Sequence, residues 1–240
     1  MPLIVAHRLR RRVAPERYTD APAFALREVD PSRIRESVLE SAPGRPQWGR
    51  VVDGDWDGRT EPFDERPVPR GIRQRYREGR DWRDTALFDA FRDQLDRFGN
   101  AWGHVDAAAF DRRCEAIDRL HDAIRDRGYR RQEVLHGPDA YATTARLDEI
   151  CVDIDRDGRL LWRTYGQHRL ALAKLLGVDA VPVLVHRRHA GWQARREAVR
   201  EGHPMPEVDR DHPDLRDLVE RDGGTRPASR SRRIEEGESE

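Results

Sequence analysis

The chain has 240 residues, and its 45 basic and 45 acidic side chains cancel to a formal net charge of +0. That length allows one good domain or two small ones with a real core, while the charge balance disfavours a protein whose main partner is nucleic acid, since such proteins are basic overall as a rule. No stretch approaches the ~20 apolar residues that span a bilayer, and Met1 to Val13 lacks the order of a signal peptide, so a cytoplasmic protein with no membrane partner is expected.

In chain order, residues 1–22 read as a loosely organised arm with a basic run at Arg8, Arg10, Arg11 and Arg12. Such runs are usually solvated and less often bind anions. Phe24, Leu26 and Val29 have strand spacing. Asp30-Pro31 is a helix start, with Asp as N-cap and Pro at N1, and predicts a helix over 31–40. Trp48 to Asp57 then places Asp53, Asp55 and Asp57 at alternate positions around Gly54 and Trp56. The three carboxylates can hold a hard cation, with Asp55 as metal ligand, or ribose hydroxyls. They lack EF-hand spacing. The alternative is an Asp-Gly hairpin with exposed acids and a packed Trp.

After a Pro-rich connection from Pro62 to Pro69, Ile72 and Tyr76 mark a short helix ended by Gly79. A helix over 83–98, capped by Asp81, carries Leu87, Phe88, Phe91, Leu95 and Phe98 as an apolar stripe. Trp82 and Trp102 flank it as clamps. A helix over 106–127 carries Phe110, Cys114, Ile117, Leu120 and Ile124. His121 borders that face and reads as a packed or surface residue. Cys114 and Cys151 fall on the apolar rhythm of their elements and read as buried free thiols. Residues 130–147 read as a loop.

The densest pattern runs from Glu149 to His189. Ile150, Val152 and Ile154 alternate as a half-buried strand. Asp157-Gly158 is a turn, and Arg159 to Thr164 is the return strand. Tyr165 to Arg169 then enters a helix over 168–176 that Gly177 closes. Val181 to Val185, with Pro182, reads as a strand near an edge. A helix start presents free N–H groups to an anion. Gly166 allows close backbone approach, and His168 and Arg169 add donors. The alternative is that Gly166 only makes the turn while Arg169 pairs with a carboxylate of the hairpin. His186, Arg187, Arg188 and His189 form a basic cluster, solvated or extending the anion site. Ala190 to Arg200 is an amphipathic helix. Residues 202–240 are polar and read as a tail, with one helical turn near Leu215 to Val219.

These segments together resemble the ParB/sulfiredoxin-like domain family. The resemblance rests on the strand Leu160 to Arg163, on Gly166 to Arg169, on the Ala- and Leu-rich helix ending in Gly177, and on Val181-Pro182-Val183. Ile117, Leu120, Ile124, Gly128 and Tyr129 fit the family's helix before the sheet. The match covers roughly residues 110–190. It implies that Gly166, Gln167, His168 and Arg169 hold nucleotide phosphates, and the basic cluster at the end of the last strand adds Arg187 as a further phosphate-binding candidate. Gln167 stands where sulfiredoxins have their reactive Cys, so that chemistry is not expected. The polar segment after His189 is too short to supply the helix-turn-helix of partition proteins.

The chain then divides into a flexible basic arm (1–22), an N-terminal part with a helical insertion (23–105), a ParB-like core (106–201) and a largely disordered tail (202–240). The expected fold class is α/β (α+β). It has a small mixed sheet from segments near 24–30, 150–154, 159–164 and 181–186, with surrounding helices. The leading functional expectation is a protein that binds a nucleoside triphosphate or diphosphate with Mg²⁺. Such a protein is a phosphotransferase or nucleotide hydrolase if Asp53, Asp55 or Asp57 is the catalytic base. The alternatives are a nucleic-acid-binding or nuclease module, and a non-catalytic interaction domain.

Overall fold

Short strands pair around two longer ones, and helices with apolar stripes cover the result. The computed structural model describes residues 2–22, 24–39, 48–103, 105–136, 146–205 and 207–218. The strands are β1 (Leu26–Val29), β2 (Glu36–Val38), β3 (Arg50–Val52), β4 (Thr60–Pro62), β5 (Ile150–Ile154), β6 (Leu160–Trp162) and β7 (Val181–His189). The helices are α1 (Pro2–Val13), α2 (Pro67–Arg77), α3 (Ala86–Phe98), α4 (Ala107–Arg127), α5 (Gln132–His136), α6 (Gln167–Leu176) and α7 (Ala190–Arg200).

The sheet is mixed, in the order β1-β7-β5-β6-β2-β4, with β3 beside the far end of β7. β5 and β6 form the antiparallel hairpin, and α6 carries the chain across to β7, which runs parallel to β5. The mixed α/β class expected from the sequence is therefore the observed one. Ile150, Val152, Ile154, Val181 and Val183 are among the sheet residues of the core, against Phe63, Ile72, Leu87, Phe91, Phe110, Ile117 and Leu170.

Several elements follow their sequence signals closely. Asp106 caps α4 by accepting a hydrogen bond from the Ala109 N–H at 2.7 Å. Gly177, left-handed at φ 67°, ends α6. The turn at Gly158 closes the β5–β6 hairpin, with its N–H donating to the Asp155 carbonyl at 3.2 Å. Cys114 and Cys151 are free and buried, and burial pushes both thiols up, Cys114 to about 12. Trp82 donates to Asp118 on α4 at 3.2 Å, and His121 stacks flat on Tyr76 at 3.9 Å.

Other expectations are corrected. The helix predicted over 31–40 is a single 3-10 turn, Pro31–Arg33, followed by β2. Asp30 does cap that turn, its carboxylate accepting from the Ser32 N–H at 2.8 Å. Pairing of β2 with β6 on one side and β4 on the other then wins over the cap signal. α2 starts inside the Pro-rich connection, because Pro67 fits the first turn of a helix. α3 begins at Ala86, after a 3-10 turn over Trp82–Asp84, and the Asp81 side chain caps nothing. The arm expected at residues 1–22 contains α1.

β7 is central, not an edge strand, and every one of its residues is buried. The basic cluster at its end is therefore interior. The tail is shorter than expected, because Val208, His212, Asp214, Leu215 and Leu218 are buried. Residues 219–240 and most of the 130–147 loop lie outside the described residues. Among the described residues no helix is long and apolar enough to cross a membrane.

Candidate functional site

Gly166 is the pivot between β6 and α6. It holds φ 75°, a left-handed conformation that costs a side-chain-bearing residue about 1–2 kcal/mol. A Cβ there would also stand 2.7 Å from the Ile150 Cα, so backbone meets backbone with no side chain to yield. Glycine is required twice over. α6 therefore starts abruptly, and its first turn contains no acidic residue. Gly166, Gln167, His168 and Arg169 are all partly exposed.

The side chains around this start are held by partners that the sequence did not reveal. Arg169 Nη1 lies 3.1 Å from Glu149 Oε2, and the Glu149 side chain is fully buried. The other Glu149 oxygen accepts from the Gln132 N–H at 2.6 Å. Burial pushes the Glu149 carboxyl above its usual range, opposed by that N–H and by Arg169. Of the two readings of Arg169, the carboxylate pair is the one present, with the residue just before β5.

His168 Nε2 lies 3.3 Å from Arg113 Nη2 on α4. A guanidinium only donates, so Nε2 accepts and the ring proton sits on Nδ1. Burial, with Arg113 and Arg169 alongside, pushes the His168 pKa down to about 3, so the ring is neutral. Tyr129 stands beside Arg169 and Glu149, its hydroxyl pKa raised by burial. A hollow of about 100 Å³ opens here, lined by Ile124, Tyr129, Leu135 and Arg169 among others.

The acidic trio is somewhere else. Asp57 is buried and receives three hydrogen bonds from Arg156: from its backbone N–H at 3.0 Å, from Nε at 2.8 Å and from Nη2 at 2.6 Å. Those bonds hold the Asp57 carboxyl down at about 2. Asp55 takes a further bond from Arg156 at 2.8 Å. Asp53 lies 3.9 Å from His189, which bonds the Gly54 carbonyl at 2.8 Å. Arg156 follows the end of β5, whereas Gly166 packs on Ile150 at its start. The four steps along β5 from Ile150 to Ile154 alone separate the two points by about 13 Å. The structure thus does not bring Asp53, Asp55 or Asp57 to the Gly166–Arg169 loop, and they form an ion-paired latch on the hairpin turn.

Arg187 is also withdrawn from the loop. Its guanidinium lies 3.9 Å over the Trp56 ring, and Nε lies 3.0 Å from Asp153 Oδ2. Asp153 is shared with Arg163 at 3.0 Å and His186 at 3.1 Å. Consecutive residues His186 and Arg187 reach one carboxylate because β7 bulges there: Val152 pairs with Val185, but Ile154 pairs with Arg188. Asp214 is likewise enclosed by Arg188, by Arg27 at 3.7 Å and by the Trp192 N–H at 3.1 Å.

No group of three or more His, Cys, Asp or Glu among the described residues could hold a metal ion, and Asp55 faces an arginine. Among the described residues, none is placed to hold a resident Mg²⁺. The larger hollow of about 440 Å³ lies at the hairpin turn, lined by Arg33, Arg35, Glu36, Asp157, Trp192 and His212 among others. Its charges are mixed and it touches none of the Gly166–Arg169 residues.

Glu149 and Arg113 were missed by sequence reasoning. They stand 20 and 55 residues from their partners, and neither belongs to a spacing pattern. No family model, curated protein or solved structure matches the chain.

Proposed function

We propose that this protein binds a phosphate-bearing small molecule, a nucleoside diphosphate or triphosphate, at the start of α6, as the resemblance to ParB-like domains implies. The observation that supports this reading is Gly166. A residue that only glycine can occupy brings the chain into α6 with free N–H groups, no acid in the first turn, and the Arg113, His168 and Arg169 side chains around it. Helix N–H groups and the helix dipole favour an anion there. A neutral His168 donates through Nδ1, and Arg169 contributes charge once it turns from Glu149 to the ligand. Any Mg²⁺ would arrive on the phosphates.

The reading stops at binding. Phosphotransfer or hydrolysis through Asp53, Asp55 or Asp57 is not retained, because these carboxylates lie at the other end of β5. The test is thermal unfolding of wild type and Arg169→Ala with ATP, ADP, CTP or GTP, with and without Mg²⁺. At 100 times Kd a ligand adds about 2.7 kcal/mol, a shift of several degrees for a chain of this size. A shift with one nucleotide that Arg169→Ala removes supports the reading. No shift at millimolar concentration sinks it. Stabilisation by polynucleotide alone, lost steeply with salt, would favour the nucleic-acid alternative instead.

A further inference from the structure

α1 has a face that nothing in the described structure covers. Val5, Leu9 and Val13 are spaced four apart, so they lie within about 80° of one another on a helix turning 100° per residue. They are 51%, 56% and 86% exposed. The opposite face is pinned by His7, which is buried, packs against Gly49 so closely that no Cβ would fit, and meets the Tyr18 ring edge-on at 5.7 Å. The helix therefore cannot roll its apolar stripe inward without losing that peg.

Arginines border the stripe. By helical rotation Arg8 and Arg12 fall on one side of it and Arg10 on the other. α1 contains no acidic residue. Among the described residues no carboxylate pairs with Arg8, Arg10, Arg11 or Arg12; Arg11 only donates to the Asp20 carbonyl at 3.4 Å. This contrasts with Arg27, Arg188 and Arg196, each of which sits on an aspartate. Among the described residues these four neighbouring arginines meet no carboxylate, and an anion from outside suits them.

We propose that α1 docks on the surface of an anionic lipid bilayer. Val5, Leu9 and Val13 enter the boundary between headgroups and acyl chains, and Arg8, Arg10 and Arg12 meet headgroup phosphates. This is a peripheral contact in which no helix of the described residues crosses the bilayer. A second copy of the chain is disfavoured as occupant, because two such faces set like charges against each other. A protein groove is disfavoured because a convex aliphatic ridge lacks the Trp and Tyr anchors that dominate protein interfaces.

The test is flotation of the full chain with vesicles of phosphatidylglycerol and phosphatidylcholine, or of phosphatidylcholine alone. Binding to the anionic vesicles only, weakened by salt, is expected. Leu9→Glu should abolish it. Arg8→Gln with Arg12→Gln should weaken it about 25-fold, at about fivefold per arginine. These side chains are exposed, so the unfolding temperature of each variant should match wild type, and soluble glycerol phosphate should not displace the protein. The proposal is overturned by no flotation with anionic vesicles, by equal binding to phosphatidylcholine, or by a Leu9→Glu variant that floats like wild type. A dimer that Leu9→Glu dissolves, without vesicle binding, would also overturn it and assign the face to a second copy.

Discussion

The two ends of β5 are built on opposite plans. At its C-terminal end each buried carboxylate is matched. Asp57 has Arg156, Asp153 has Arg163 and Arg187, and Asp214 has Arg188 and Arg27. These groups are buried or clamped, and their donors are already spent. At the N-terminal end one pair, Arg169 with Glu149, stands beside a helix start whose N–H groups remain partly exposed. The difference teaches that a dense cluster of charge is not a site as such. A buried charge must be matched, and a binding site must keep donors that a ligand can claim.

The largest effect should come from breaking the matched end. Asp214→Ala leaves Arg188 buried without its carboxylate and Arg27 with Asp217 alone, and should cost about 3–5 kcal/mol in denaturant unfolding. A loss below about 1 kcal/mol would show that the network is solvated. Gly166→Ala should cost roughly 2–3 kcal/mol through its left-handed φ and the contact with Ile150, and should abolish nucleotide stabilisation. A variant of wild-type stability would refute the double requirement for glycine.

Acid should act on the matched end too. The Asp57 carboxyl is held down at about 2 against its ordinary 3.8. Its contribution is therefore complete above about pH 4 and lost as pH falls towards 2, roughly 2 kcal/mol in all. Asp57→Asn should flatten that part of the stability profile. A profile unchanged by the substitution would place the acid sensitivity elsewhere.

The smallest effect on stability should come from Glu149→Gln. Burial already opposes the Glu149 charge, so unfolding should change by less than about 1 kcal/mol. Freed of its carboxylate, Arg169 should bind phosphate roughly tenfold more tightly. A weaker nucleotide complex would mean that Glu149 positions Arg169 and does not compete for it.

Much of this architecture was legible in the sequence, and the exceptions have physical causes. α4 and α6 combine apolar periodicity with a cap or a closing glycine, so their signals agree. β2, β3 and β4 have three residues each, too few to show a period. β7 read as a strand near an edge or entrance because of Pro182, yet β1 and β3 cover one side and β5 the other. Its charges become tolerable only when Asp153 and Asp214 arrive from distant segments. Residues 207–218 looked like tail by composition, yet Val208, His212, Asp214, Leu215 and Leu218 are interior, and Asp214 and Asp217 meet Arg27, Arg188 and Arg196. At the candidate site the loop itself was legible from Gly166 to Arg169. Its partners Glu149 and Arg113 were not, because long-range pairing leaves no local pattern.

The most direct measurement is a nucleotide titration followed by the backbone amide resonances of the ¹⁵N-labelled chain. The amides of Gln167, His168 and Arg169 should move in a saturable way with a nucleoside triphosphate, while those of Asp55, Asp57 and Arg156 stay fixed. Movement confined to the Asp57–Arg156 end, or no movement at either end, would contradict the assignment of the anion site to the start of α6.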